Sequence, residues 1–192
     1  MQNGSLTQHL KRNNSRGRLQ FCIDLAGTVQ YLHRNGIVHG DIKTDNVILS
    51  NSGDVQLVDF GSATLINYLT LHFTRTSSQL AWTVRFAAPE ILLETRETHT
   101  PESDVYSLGM TILQILAGEL PYARMSDVAV LVNVIKESLP PRPTVGTIHR
   151  DRCTEDKLWE LLLRCWNYNP ELRPTAMEVK EALINIERES GI

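Results

Sequence analysis

Cysteine, charge imbalance and long apolar runs are all scarce in this chain. Only Cys22, Cys153 and Cys165 occur among its 192 residues, an odd number with no C-x-x-C spacing. That pattern excludes a disulfide-stapled scaffold and points to reduced thiols inside a cell, used as small apolar packing groups. His9, His33, His72, His99 and His149 show no paired spacing with Cys or Glu, which argues against a zinc site. The net charge is −3 and the sequence isoelectric point about 6.1, so no global field draws the chain to nucleic acid or an anionic membrane. The basic clusters Lys11-Arg12 and Arg16-Arg18 read as solvated faces. The longest apolar run, around Met110 to Ala117, falls far short of the ~20 residues that span a bilayer. The first thirty residues are polar and basic up to Leu19 and carry no signal-peptide pattern. No G-x-G-x-x-G occurs, and there is no internal repeat, low-complexity tract or linker.

What is present suits one domain. A chain of 192 residues that is 42% hydrophobic can bury one core, holding roughly 70% of its unfolded surface away from water. Leu19, Cys22, Ile23, Ala26, Val29 and Leu32 recur at helical spacing until Asn35-Gly36. Val47-Ile48-Leu49 and Val55-Gln56-Leu57-Val58 flank the turn signal Asn51-Ser52-Gly53-Asp54 and predict a hairpin. Thr100-Pro101 opens a helix with Val105, Leu108, Ile112, Ile115 and Leu116 inward, stopped by Gly118 and Pro121. Asp127 to Glu137 is expected to turn Val128, Leu131, Val132 and Ile135 to the core, and Glu155 to Trp166 to turn Leu158, Leu161, Leu162 and Cys165. Thr175-Ala176-Met177-Glu178 is a capping box before a last helix with Val179, Leu183 and Ile186 inward. Pro140-Pro141-Arg142-Pro143 is a rigid surface connection.

The chemistry concentrates in His39-Gly40-Asp41-Ile42-Lys43-Thr44-Asp45-Asn46 and in Asp59-Phe60-Gly61 beyond the hairpin. Asp41, Lys43 and Asn46 share a tight loop, and the hairpin can carry Asp59 back towards it. Two carboxylates, an amide and an ammonium then converge. Phosphoryl transfer needs this mixture: a carboxylate to orient and deprotonate a hydroxyl, oxygen ligands for Mg²⁺, and a cation against the transferred charge.

These residues resemble the H-R-D-x-K-x-x-x-N catalytic loop and the D-F-G element of the eukaryotic protein kinases. Ala88-Pro89-Glu90, Ser103-Asp104-Val105-Tyr106-Ser107-Leu108-Gly109, Cys165-Trp166, Asn169-Pro170 and Arg173-Pro174-Thr175 follow in the family's order, so the resemblance runs from Met1 to about Ile186. It implies a protein-kinase-like fold, mainly α with a small β-hairpin, corresponding to the large C-terminal lobe. Asp41 would be the catalytic base, Lys43 a γ-phosphate contact, Asn46 and Asp59 the Mg²⁺ ligands, and Ile48 with Lys43, Asn46 and Asp59 the ATP contacts. Thr83 would serve the substrate loop, His39 and Phe60 would be apolar supports, Asp104 would hold the catalytic-loop backbone, and Glu90 would pair with Arg173 inside the lobe. ATP, Mg²⁺ and a protein substrate with a reactive Ser or Thr are the implied partners, in the cytoplasm or nucleus.

Three departures stand out. Gly40 replaces the usual Arg, so no guanidinium beside Asp41 receives a phosphate from Ser62, Thr64, Thr70, Thr74, Thr76, Ser77 or Ser78, with Arg75 and Arg85 as substitute cations. Trp82 stands where a Gly commonly precedes Thr83. The glycine-rich loop, strand lysine and helix glutamate of the small N-terminal lobe have no counterpart here, so residues 1–192 are expected to form the C-terminal lobe alone, with a partner or the missing lobe over the exposed active-site face. Lys43 and Thr83 resemble the serine/threonine pattern, and Cys165-Trp166 with the 104–109 run leans to its tyrosine-kinase-like branch. Two other readings compete: a pseudokinase-like, non-catalytic binding module, and a small-molecule phosphotransferase of the aminoglycoside or choline type, which shares His-Gly-Asp but usually has His where Lys43 stands.

Overall fold

A computed structural model describes residues 5–12, 17–65, 84–144, 146–149 and 151–190. Among these described residues seven α-helices and four short strands follow in the order α1 (Leu6–Arg12), α2 (Arg18–Arg34), β1 (Ile37–Val38), β2 (Val47–Leu49), β3 (Val55–Leu57), β4 (Thr64–Leu65), α3 (Pro89–Leu92), α4 (Pro101–Ala117), α5 (Asp127–Ile135), α6 (Arg152–Cys165) and α7 (Ala176–Glu189). The mainly helical layout with a small hairpin is the expected fold. Helix α2 packs along both α7 and α4, and α6 closes against α4 and α7, so one apolar core joins all four. Leu19, Cys22, Ile23, Ala26, Val29 and Leu32 are buried on α2, as their spacing predicts.

Helix α4 is the axis of the molecule. Thr100 caps it, accepting from Ser103 N–H while Ser103 Oγ accepts from Thr100 N–H at 2.9 Å, and Pro101 supplies the first turn. Every residue from Ser103 to Leu116 is buried, not only the five expected inward. Gly109 permits this crowding, because a Cβ there would lie 2.8 Å from both Cys165 Cβ and Trp166 Nε1. Trp166 is buried and meets Trp159 edge to face at 5.5 Å. Arg18, expected on a solvated face, is instead partly buried, and its guanidinium donates to Leu116 O at 2.9 Å at the end of α4.

The strands form two antiparallel pairs. Hairpin β2–β3 aligns Val47 with Leu57 and Leu49 with Val55, and β1 pairs with β4 through Ile37–Leu65 and Val38–Thr64. The α5 expectation is overturned. Val130 and Val134 face the core, while Val128, Val132 and Ile135 are 74%, 41% and 55% exposed. Its sequence, DVAVLVNVI, is apolar nearly all round, so periodicity cannot choose the inward stripe and tertiary contact decides. Burial pushes the Cys165 thiol up to about 12, consistent with inert packing, but Cys153 is exposed on the first turn of α6. Among the described residues no helix is long and apolar enough to cross a membrane.

Candidate active site

The candidate catalytic loop, residues 39–46, hangs on polar residues of α4. Asp104, Ser107, Thr111 and Gln114 fall three or four residues apart, so one helix face carries them all. Asp104 Oδ2 accepts from His39 N–H and Oδ1 from Gly40 N–H, each at 2.8 Å, which is the backbone grip expected of it. Its Oδ2 also lies 3.0 Å from His33 Nε2. Thr111 Oγ1 donates to Ile42 O at 3.1 Å, and Thr44 Oγ1 donates to Gln114 Oε1 at 2.8 Å. Thr111, Gln114 and the His33 contact were not foreseen. Their signal was the recurrence of polar side chains at helical spacing inside an apolar helix, because a buried polar group needs a partner.

Asp41, Lys43 and Asn46 come together on this scaffold. Lys43 Nζ is 2.7 Å from Asp41 Oδ2, and Asn46 Nδ2 donates to the same oxygen and to Asp41 O, both at 2.9 Å. Asn46 N–H donates to Lys43 O at 3.0 Å and Val58 N–H to Asn46 O at 2.9 Å. That last bond closes the hairpin onto the loop one residue before Asp59. Ile48 is partly buried on β2 and bridges Ser5.

Asp59 is held lightly. Its φ of 64° lies in the left-handed region, uncommon for a residue with a side chain, and its carboxylate accepts only a long 3.4 Å bond from Gly61 N–H among the described contacts. The supports beneath it differ from expectation. His39 is buried but not an apolar filler: its Nδ1 accepts from Asp41 N–H at 3.3 Å and its Nε2 lies 3.2 Å from Val58 O, which assigns the proton to Nε2. The ring thus ties the Asp41 backbone to the residue before Asp59. Phe60 lies against that ring at 4.9 Å yet remains 45% exposed.

Glu90 and Arg173 form the expected internal pair, bidentate at 2.6 and 2.8 Å, with Arg173 also donating to Glu102 O and Asn167 O. Arg173 lies over the Tyr106 ring at 5.1 Å, and burial drives that phenol well above its ordinary pKa. Arg85, considered a substitute phosphate receiver, is committed elsewhere. It pairs with Asp127 at 3.0 Å and donates to Pro121 O and Tyr122 O, each at 2.9 Å. Thr83, Trp82, Arg75, Thr70, Thr74, Thr76, Ser77 and Ser78 lie outside the described residues.

Comparison with known proteins follows the same outline. The family profile for the protein kinase domain matches residues 1–183. A putative serine/threonine-protein kinase/receptor, R826, of Acanthamoeba polyphaga mimivirus is 34% identical over 164 residues, covering 85% of this chain and 10% of that protein. Serine/threonine-protein kinases STY17 and STY46 of Arabidopsis thaliana are 32% and 31% identical, covering 90% and 100% of this chain but 28% and 32% of their own length. The chain thus spans about a tenth to a third of these relatives.

Proposed function

The chain belongs to the protein kinase family, and from that premise we propose that it carries the catalytic loop for MgATP-dependent phosphoryl transfer to serine or threonine hydroxyls of protein substrates. The observation behind this reading is the convergence of Lys43 Nζ and Asn46 Nδ2 on Asp41 Oδ2, at 2.7 and 2.9 Å. Bound MgATP supplies the γ-phosphoryl group, which passes to the hydroxyl oxygen as its bond to ADP breaks. Asp41 orients that hydroxyl and takes its proton, and Lys43 sets a positive charge beside the loop. Thr83 belongs to the substrate loop in this reading, and Ile48 contributes apolar surface to the nucleotide.

The donors suit magnesium. Asn46 uses its amide N–H groups on Asp41, so its oxygen is the atom left to offer a metal, and Asp59 adds an exposed carboxylate. Both are hard oxygen ligands. Among the described residues no cluster of three or more His, Cys, Asp or Glu could hold a metal alone, so a metal here would share oxygens with the nucleotide. The free thiols Cys22, Cys153 and Cys165 support a cytoplasmic or nuclear setting.

The test is transfer of radiolabelled γ-phosphate to dephosphorylated casein by the parent chain and by Asp41→Asn, with nucleotide binding measured with and without Mg²⁺. A loss of ~10²–10⁴-fold is expected in the variant, with Mg²⁺-dependent binding retained. A second reading, a non-catalytic binding module, draws on the exposed Phe60 and Leu65 beside the site. Absence of any nucleotide binding by the parent chain would favour it.

A further inference from the structure

Gly40 stands between two residues that the site depends on, and it has no side chain to hold it. Its φ is +77°, and a Cβ built there would lie 2.7 Å from Ser62 O and 3.0 and 3.1 Å from His99 Cδ2 and Cγ. The volume a side chain would take is already filled, by a backbone carbonyl and an imidazole ring. A glycine at positive φ is also the point of greatest backbone freedom in such a loop, so whatever packs on it limits that freedom.

His99 is well placed to do so. It directly precedes Thr100, the N-cap of α4, whose reciprocal bonds with Ser103 fix the helix start. Asp104, one turn further, holds the N–H groups of His39 and Gly40. The segment 99–104 therefore meets the loop twice: a carboxylate on two N–H groups and a ring beside the bare Cα that follows them. We infer that His99 is a positioning residue of the catalytic loop, its imidazole closing the side of Gly40 that has no Cβ and so fixing the backbone that carries Asp41. The ring atoms nearest that side are carbons, which a phenyl ring presents in the same place and a small or non-aromatic group does not.

The consequence for catalysis rests on the role proposed for Asp41, but the test does not. Amide hydrogen exchange is measured residue by residue on the 192-residue chain for the parent, His99→Ala, His99→Asn and His99→Phe. In the Ala and Asn variants the Gly40 and Asp41 amides are expected to exchange ~10-fold faster or more. The interior amides of Ile112 and Leu183, which report global opening, should stay within about twofold, and His99→Phe should restore Gly40 and Asp41 to near the parent rate. Unchanged exchange at Gly40 and Asp41 in His99→Ala overturns the inference. So does equal acceleration of Ile112 and Leu183, failure of both ring-less variants to fold, or failure of Phe to restore protection. An error in the phosphoryl-transfer reading would appear separately, as absent nucleotide binding by a parent chain whose exchange behaves as expected.

Discussion

Asp41 and Asp59 flank one hairpin, yet they are held in opposite ways. Around Asp41 the loop is fixed by Asp104, Thr111, Gln114, Lys43 and Asn46, with His39, Lys43 and Asn46 all buried. Around Asp59 a left-handed backbone, one long bond to Gly61 and a half-exposed Phe60 are what the described residues provide. The first half is preorganised by buried hydrogen bonds; among the described residues the second takes its position from the hairpin, the Val58 contacts and the β1–β4 pairing. On the proposed reading, a site built this way would hold Asp41, the proton acceptor, firmly and leave Asp59, the metal ligand, to be settled by what binds over it.

The largest effect expected from this contrast is on rate. Because the Asp59 half of the proposed site is lightly held and the sequence contains no glycine-rich loop motif, the 192-residue chain should phosphorylate casein well below ~1 s⁻¹, the lower end for kinases. Steady-state assay decides this, and turnover at or above that value would show that the Asp59 half needs no further cover. Next in size, Arg173→Ala should destabilise the lobe by roughly 3–5 kcal/mol by stranding Glu90, buried and bidentate to it. A urea midpoint equal to the parent's, with the same slope, would contradict this. Asp104→Asn keeps one oxygen acceptor but loses the other, and is expected to cost about 1–3 kcal/mol while loosening His39 and Gly40. Comparison of denaturation midpoints with loop amide exchange tests both parts together. The smallest effect belongs to the loose half: Phe60→Ala should change stability by less than about 1 kcal/mol, since nearly half of the residue is already in water. A cost above ~2 kcal/mol would mean that the two halves are equally anchored.

Much of the frame was legible because its signals are local. The Thr100 and Thr175 caps, the Asn51–Asp54 turn and the 3.6-residue spacing on α2, α6 and α7 all depend on neighbours within a turn or two. Asp104 and the Glu90–Arg173 pair were legible through motif resemblance. The orientation of α5 was not, because an all-apolar helix does not mark its buried stripe. Nor was the β1–β4 pairing, since two-residue strands carry no alternation to read. Arg18 read as a solvated charge and Arg85 as a substitute phosphate receiver because nothing nearby in sequence reveals the carbonyls of Leu116, Pro121 and Tyr122 that they reach. At the site, the loop residues were visible, but the support from Thr111 and Gln114 was not singled out, because its signal is only the spacing of polar groups within an otherwise apolar helix.

The two bonds from Asp104 to His39 and Gly40 span 65 and 64 residues of chain. During synthesis the loop therefore leaves the ribosome long before the carboxylate that shapes it has been made. Helix α2 and the hairpin can form from local contacts in that interval, but the loop between them keeps its freedom until α4 has emerged and docked. The geometry around Asp41 is a late acquisition in the life of each molecule, and a nascent chain that stops short of α4 carries the residues for chemistry without their arrangement.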